Sequence, residues 1–201
     1  MGRTSNAREQ LIEATHTLMR RRGYGAIGVA QICAVAEVRK GSFYHFFASK
    51  EALTVAALRE AWAAERRSWR ALVDSTIPAV DRLEALVGSQ VSAQCEAKKG
   101  SGSVVGCLYG NLALEIGPDD DPVRACLAEI FEDQVAIIHD VLKAGVADGS
   151  INDARAGRET ARALLAQLEG MVMFAKLHDD PAILKGVWTQ VLVLLGDPQP
   201  C

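Results

Sequence analysis

Long apolar runs are missing from this chain. The longest reach five residues, as in Val191–Leu195 and Met171–Ala175. A bilayer needs about 20, so no membrane-spanning helix is expected. An apolar leader is missing too. Met1-Gly2-Arg3-Thr4-Ser5-Asn6 offers no secretory signal, and Asn6 stands where a myristoylation signal needs Ser or Thr. The expected location is the cytoplasm. The five cysteines (Cys33, Cys95, Cys107, Cys126, Cys201) are odd in number and irregularly spaced. That excludes a disulfide framework and the close pairing of a zinc site, and leaves reduced thiols. His139 and His178 have no ligand-like spacing with a second His or Cys. No nucleophile elbow, metal motif or paired-carboxylate cluster is present. No catalytic residue, metal or cofactor is therefore expected.

A β-pattern is also missing. No alternating Val, Ile and Thr run bounded by turn residues is long enough for a sheet. What remains is helical periodicity in a chain that is 49% hydrophobic, enough to build a core. The spacing predicts an all-α protein of about nine helices. Asn6 and Glu9 suggest a capping box for the first, which Gly23 stops after Arg20-Arg21-Arg22. A short second helix runs from about Gly28 to Val35, and a third from about Arg39 to Phe46. Ser49 caps a fourth that reaches about Ala71. The fifth covers roughly Val80 to Lys98, with a flexible joint at Gly100-Ser101-Gly102-Ser103. The sixth runs from about Val104 to Ile116. Asp119-Asp120-Asp121 reads as a solvated loop, in which Asp121 caps and Pro122 opens a seventh helix to about Ala147. An eighth spans about Ala154 to His178. Asp180-Pro181 starts a ninth that ends near Leu195, before a frayed tail.

Charge is split along the chain. Residues 1–50 hold eight Lys or Arg against three acids, and the rest holds fourteen bases against twenty-two acids. A basic head on an acidic body suits a nucleic-acid partner, because phosphate would repel the body. The head contains a helix-turn-helix pattern between Gly28 and Phe47. Ile32 and Ala36 face inward on its first helix, and Glu37-Val38 make the turn. Phe43, Phe46 and Phe47 lie three or four apart and form the inward face of its second helix. Lys40, Gly41, Tyr44 and His45 fall on the opposite face with Ser42 beside it, a set suited to phosphates and base edges in a major groove.

The run Val38-Arg39-Lys40-Gly41-Ser42-Phe43-Tyr44-His45-Phe46-Phe47, then Ser49-Lys50-Glu51-Ala52-Leu53, resembles the TetR family of bacterial regulators. The resemblance implies that Lys40, Gly41, Ser42, Tyr44 and His45 contact DNA from the recognition helix, and that Lys50 holds a phosphate. It also implies a palindromic double-stranded operator, a dimer and a small-molecule effector. Two positions depart from the family pattern. Gly28 stands where Thr is usual and can cap, but lacks the hydroxyl for a backbone contact. Arg39 stands where a small Ser is common and adds a possible phosphate or base contact. The expected division is a DNA-binding head over residues 1–52 and a sensing and dimerising body over 53–201.

In the body, Ala163–Ala175 is apolar on more than one face, and Val187, Trp188, Val191, Leu192 and Leu195 add a second stripe. Helices of about 154–178 and 181–195 are therefore expected to pair with their copies in a second subunit. Gly106-Cys107-Leu108 with Leu112 and Glu115 is similar to a TetR subgroup whose repressors answer electrophiles and oxidants. Cys107 becomes the candidate sensor, with Lys176 as a cation that would favour its thiolate. The alternative is that Cys107 only packs and Lys176 reaches solvent. Trp62, Tyr109, Asn111, Phe131, Met173 and Phe174 are candidate pocket residues, although each such residue more often serves simply as core. Two other functions stay open: a helical ligand-binding protein and a small Cys-dependent enzyme, neither acting on DNA.

Overall fold

The computed structural model describes residues 5–117 and 120–196. Cys201, the tail beyond Gly196 and Pro118-Asp119 of the acidic loop lie outside them. Among the described residues there are nine α-helices, two short 3-10 segments and no strand. The helices are α1 (Ser5–Arg22), α2 (Val29–Val35), α3 (Lys40–Phe46), α4 (Lys50–Val73), α5 (Ala79–Ser101), α6 (Leu108–Glu115), α7 (Asp121–Asp148), α8 (Arg158–Leu177) and α9 (Val187–Leu195). The 3-10 segments are Asp153–Arg155 and Pro181–Gly186. None of the helices is long and apolar enough to cross a membrane.

The chain forms two compact units. One runs to Ala64 and takes in Leu108–Ile130; the other comprises Glu65–Cys107 and the chain from Phe131 onward. In the first, Leu11, Ile32, Phe43, Leu53, Leu58 and Leu112 are completely buried. Gly23 ends α1 at φ +78, its N–H bonding the Met19 carbonyl at 3.0 Å, a left-handed stop that glycine adopts without steric cost. The α2–α3 turn closes differently. Glu37 takes the left-handed position at φ +53, while the Val38 N–H reaches Cys33 O at 3.0 Å and the Glu37 N–H reaches Ala34 O at 3.3 Å. That pair of bonds is a Schellman closure with a non-glycine residue at its strained point. Ser49 Oγ accepts the Ala52 N–H at 3.2 Å and caps α4 as expected.

In the second unit, Leu83, Leu86, Ile137, Leu142, Leu164, Val172, Leu184 and Val191 make the core. Asp148 accepts the Ala79 N–H at 2.8 Å and so covers the start of α5. Gly145 lies against Ile151, where a Cβ would meet the isoleucine side chain at 2.5 Å; only glycine allows that approach.

Several helix bounds differ from the periodicity. Ser5 is already helical, so Asn6 lies inside α1 and is not its cap. Half of the expected joint is helix, since α5 runs to Ser101 and stops at left-handed Gly102. Asp121 is the first residue of α7, not its cap. α6 begins at Leu108 and not at Val104. Gly106 is left-handed at φ +77, and side chains occupy the N–H groups of Val104 and Gly106, so residues 104–107 have no helical ladder to join. The eighth and ninth helices each begin with a separate 3-10 turn, capped by Asn152 and Asp180 respectively.

Candidate nucleic-acid interface

α3 has seven residues, too few to be stable alone; its aromatic underside fixes it. Phe43 is 0% exposed and Phe47 7%, with ring centroids 6.2 Å apart. Phe46 is only half-buried and sits edge-on to His45 at 4.9 Å, so the inward clamp is chiefly Phe43 and Phe47. The Arg8 guanidinium covers the Phe47 ring at 5.7 Å. On the other side Tyr44 is 54% exposed, its ring edge-on to Phe43 at 5.1 Å. Arg39, Lys40, Gly41 and His45 are exposed, and Ser42 is half-buried. The structure thus brings the expected reading residues onto one open face. Burial pushes the Cys33 thiol above its usual range, with Lys40 pulling the other way; this cysteine is a packing residue behind the turn.

Gly28 is the N-cap of α2 at φ −120, ψ 162. This is ordinary extended backbone, so nothing in the conformation demands glycine. A Cβ there would meet nothing within 4 Å. Lys50 is half-buried at the start of α4. Its Nζ donates to Tyr24 O at 3.3 Å and Ile27 O at 3.4 Å, and stands 3.8 Å from the Tyr24 ring centroid.

The sensor candidates divide between the units. Trp62 and Tyr109 come together in the first, both buried, with centroids 6.0 Å apart. Asn111, also on α6, is half-buried. In the second unit Cys107 and Phe131 are half-buried, while Met173, Phe174 and Lys176 are exposed on α8. Cys107 shares a hydrogen bond with the Glu169 carboxyl, whereas Lys176 lies about two turns further along α8. Desolvation raises the Glu169 pKa above the usual carboxylate range. The Cys107 hydrogen bond pulls it back, and Glu65 adds repulsion. The stretch that carries Cys107 is pinned. Gln94 is buried; its side chain accepts the Gly106 N–H at 3.0 Å and donates to the Gly106 carbonyl at 3.3 Å. Asp179 Oδ1 accepts the Val104 N–H at 2.8 Å. Gln134 Oε1 is buried and has no hydrogen-bond partner.

Sequence reasoning missed Glu169, Gln94 and Gln134. Glu169 alone carried a signal, a carboxylate inside the apolar run of α8; Gln94 and Gln134 stand among other polar residues and carried none. Among the described residues, no group of three His, Cys, Asp or Glu is placed to hold a metal.

Residues 11–57 match the family profile described as bacterial regulatory proteins, tetR family. Residues 79–191 match the tetracyclin repressor-like C-terminal domain. The chain belongs to the TetR family. It is a helix-turn-helix transcriptional repressor of that type, and TetR-family regulators bind operator DNA, act as dimers and take effector ligands. The chain is 35% identical over 179 residues to the transcriptional repressor DhaR of a Mycobacterium species, covering 89% of this chain and 86% of that protein. It is 30% identical to the transcriptional regulator AcuR of Cereibacter sphaeroides, covering 88% and 80%. The crystal structure of Escherichia coli NemR in its reduced form superposes with a TM-score of 0.84 at 26% identity, covering 97% of this chain and all of that one.

Proposed function

We propose that this TetR-family repressor acts in the cytoplasm as a two-fold dimer on a palindromic operator. Each subunit places α3 in one of two successive major grooves. Arg39 and Lys40 supply positive charge, Tyr44, His45 and Ser42 supply donors to phosphates and base edges, and Gly28 and Gly41 let the backbone come close. The observation that carries this reading is the two-sidedness of α3: Phe43 completely buried, and Tyr44 beside it more than half exposed.

The dimer forms through α8 and α9. Met173, Phe174 and Leu177 on α8, with Val193 on α9, are large apolar side chains left exposed in the single chain. Leu177 reaches 72%. Water would otherwise cover these faces at a cost of about 25 cal/mol per Å², which supports a second copy as their cover.

Repression is relieved when the body takes up an effector or when Cys107 is modified. Glu169 and Gln134, polar groups set among apolar helices, are the kind of anchors such an effector would use. The effector works only by preferring the conformation whose two heads do not match the operator. Fluorescence anisotropy with the protein's own promoter DNA, over a salt series, tests the reading. Two copies of Arg39 and Lys40 on phosphates give a log–log slope steeper than about −3. A flat profile removes the basic head as the binding surface.

A further inference from the structure

The loop from Gly23 to Gly28 joins α1 to the helix-turn-helix. Gly28 aside, it carries none of the reading residues, yet three charged side chains from distant parts of the sequence grip it. From α4, Lys50 binds the carbonyls of Tyr24 and Ile27 and covers the Tyr24 ring. From the last residue of α6, Glu115 Oε2 accepts the Gly25 N–H at 3.2 Å. The same carboxylate lies so close to Gly23 that a Cβ there would approach it to 2.6 Å. From the loop after α6, Asp120 Oδ1 accepts the Tyr24 hydroxyl at 3.0 Å, and its Oδ2 is held by the Gly117 N–H at 2.9 Å. These contacts lie within one compact unit.

The protonation states suit such a clamp. Burial, with the Asp120 carboxylate beside it, pushes the Tyr24 hydroxyl far above its usual range, so it stays a donor. The Gly117 N–H, then the Tyr24 hydroxyl, hold Asp120 below the usual carboxylate range, so it stays an acceptor.

α1 is already closed by the Gly23–Met19 bond and needs none of these contacts to end. Their effect falls on the two short helices beyond the loop. The loop sets where α2 begins, and the Glu37 turn passes that placement to α3. Helices of seven residues take their orientation from their anchors, because they have little stability of their own. We infer that Lys50, Glu115 and Asp120 are positioning residues for DNA recognition, which hold the α1–α2 loop from two sides. In this arrangement two of the three N–H groups of the Lys50 ammonium go to protein carbonyls, leaving one for a DNA phosphate. The inference rests on the DNA-binding reading proposed for α3, and it makes the end of α6 part of the DNA-binding apparatus.

Charge separates positioning from plain electrostatics. Glu115→Ala with Asp120→Ala removes both acceptors and takes four acids from a dimer that binds a polyanion. If these acids acted only through their field, the variant would bind more tightly. A positioning role predicts the opposite sign, a loss of about tenfold, the scale of a lost charged hydrogen bond. Tyr24→Phe removes the hydroxyl held by Asp120 and no charge, so it should weaken binding severalfold while leaving the salt slope unchanged. Anisotropy with the promoter fragment over a potassium chloride series measures both. Hydrogen exchange at the Gly25 amide should speed up in the double variant. Wild-type affinity in Tyr24→Phe, or a double variant that binds as tightly as wild type or more tightly, overturns the inference. If wild type does not bind its promoter at all, the DNA-binding reading has failed and takes the inference with it.

Discussion

Gly23→Ala measures how closely α6 approaches the head. Gly23 sits at φ +78, where an alanine costs about 1 kcal/mol more than glycine. A second cost comes from Glu115. The new Cβ would lie 2.6 Å from its Oε2, so the carboxylate must swing away from the Gly25 N–H. The end of a glutamate side chain moves easily, so this cost is the lost hydrogen bond, no more than about 1 kcal/mol at an accessible site. Gly23→Ala alone should therefore destabilise by about 2 kcal/mol. In a Glu115→Ala background the bond is already gone, and the same change should cost only about 1 kcal/mol. The difference is the coupling between loop and helix. Urea unfolding of wild type, both single variants and the double variant gives it directly from the midpoints, provided the slopes agree. Equal costs for Gly23→Ala in both backgrounds would show that Glu115 does not lie against the loop.

The site geometry sets two further outcomes. Gly28→Thr should help, since there is room for its Cβ and its hydroxyl supplies the missing cap; a gain of a few tenths of a kcal/mol in stability, with tighter promoter binding, is expected by melting and anisotropy. Glu169→Gln should stabilise the protein at neutral pH. The folded Glu169 carboxyl holds its proton more tightly than the unfolded one, chiefly through burial. Its favourable contribution is therefore complete below the unfolded value of 4.5 and is lost as pH rises through the folded value. Thermal melts should show the variant gaining on wild type as pH rises above 4.5, with no gain below it; a gain that is independent of pH would contradict this.

The exposed side of α3 was legible because its signal is local. Phe43 and Phe47 fix which side of a seven-residue helix is down, so Lys40, Tyr44 and His45 must be up. Lys50 was legible only in part. Its place in the motif suggested a phosphate, but its carbonyl partners lie 23 and 26 residues earlier in the chain, and a motif does not encode such pairings. In the sequence Glu115 belongs to a body motif and Asp120 to a solvated loop, because no spacing rule links them to Gly23 and Tyr24. Cys107 stood out as a residue, but its partner did not. Lys176 is the lone cation in an apolar stretch, which drew it to Cys107; the hydrogen bond to Glu169 depends on which turn of α8 faces residues 104–107, and that is a matter of packing. Helix bounds failed where backbone chemistry overrode periodicity, as at left-handed Gly106, whose N–H is bound by Gln94.

The central claim is that α3 shows Lys40 and Tyr44 to duplex DNA. Binding of a Lys40→Ala, Tyr44→Ala dimer to its own promoter, with folding checked by circular dichroism, tests it most directly. Loss of two contacts per subunit removes four from the dimer, and at about 1 kcal/mol or more for each contact to a phosphate or base edge affinity should fall by about a thousandfold or more. Wild-type affinity in a folded dimer would contradict the account.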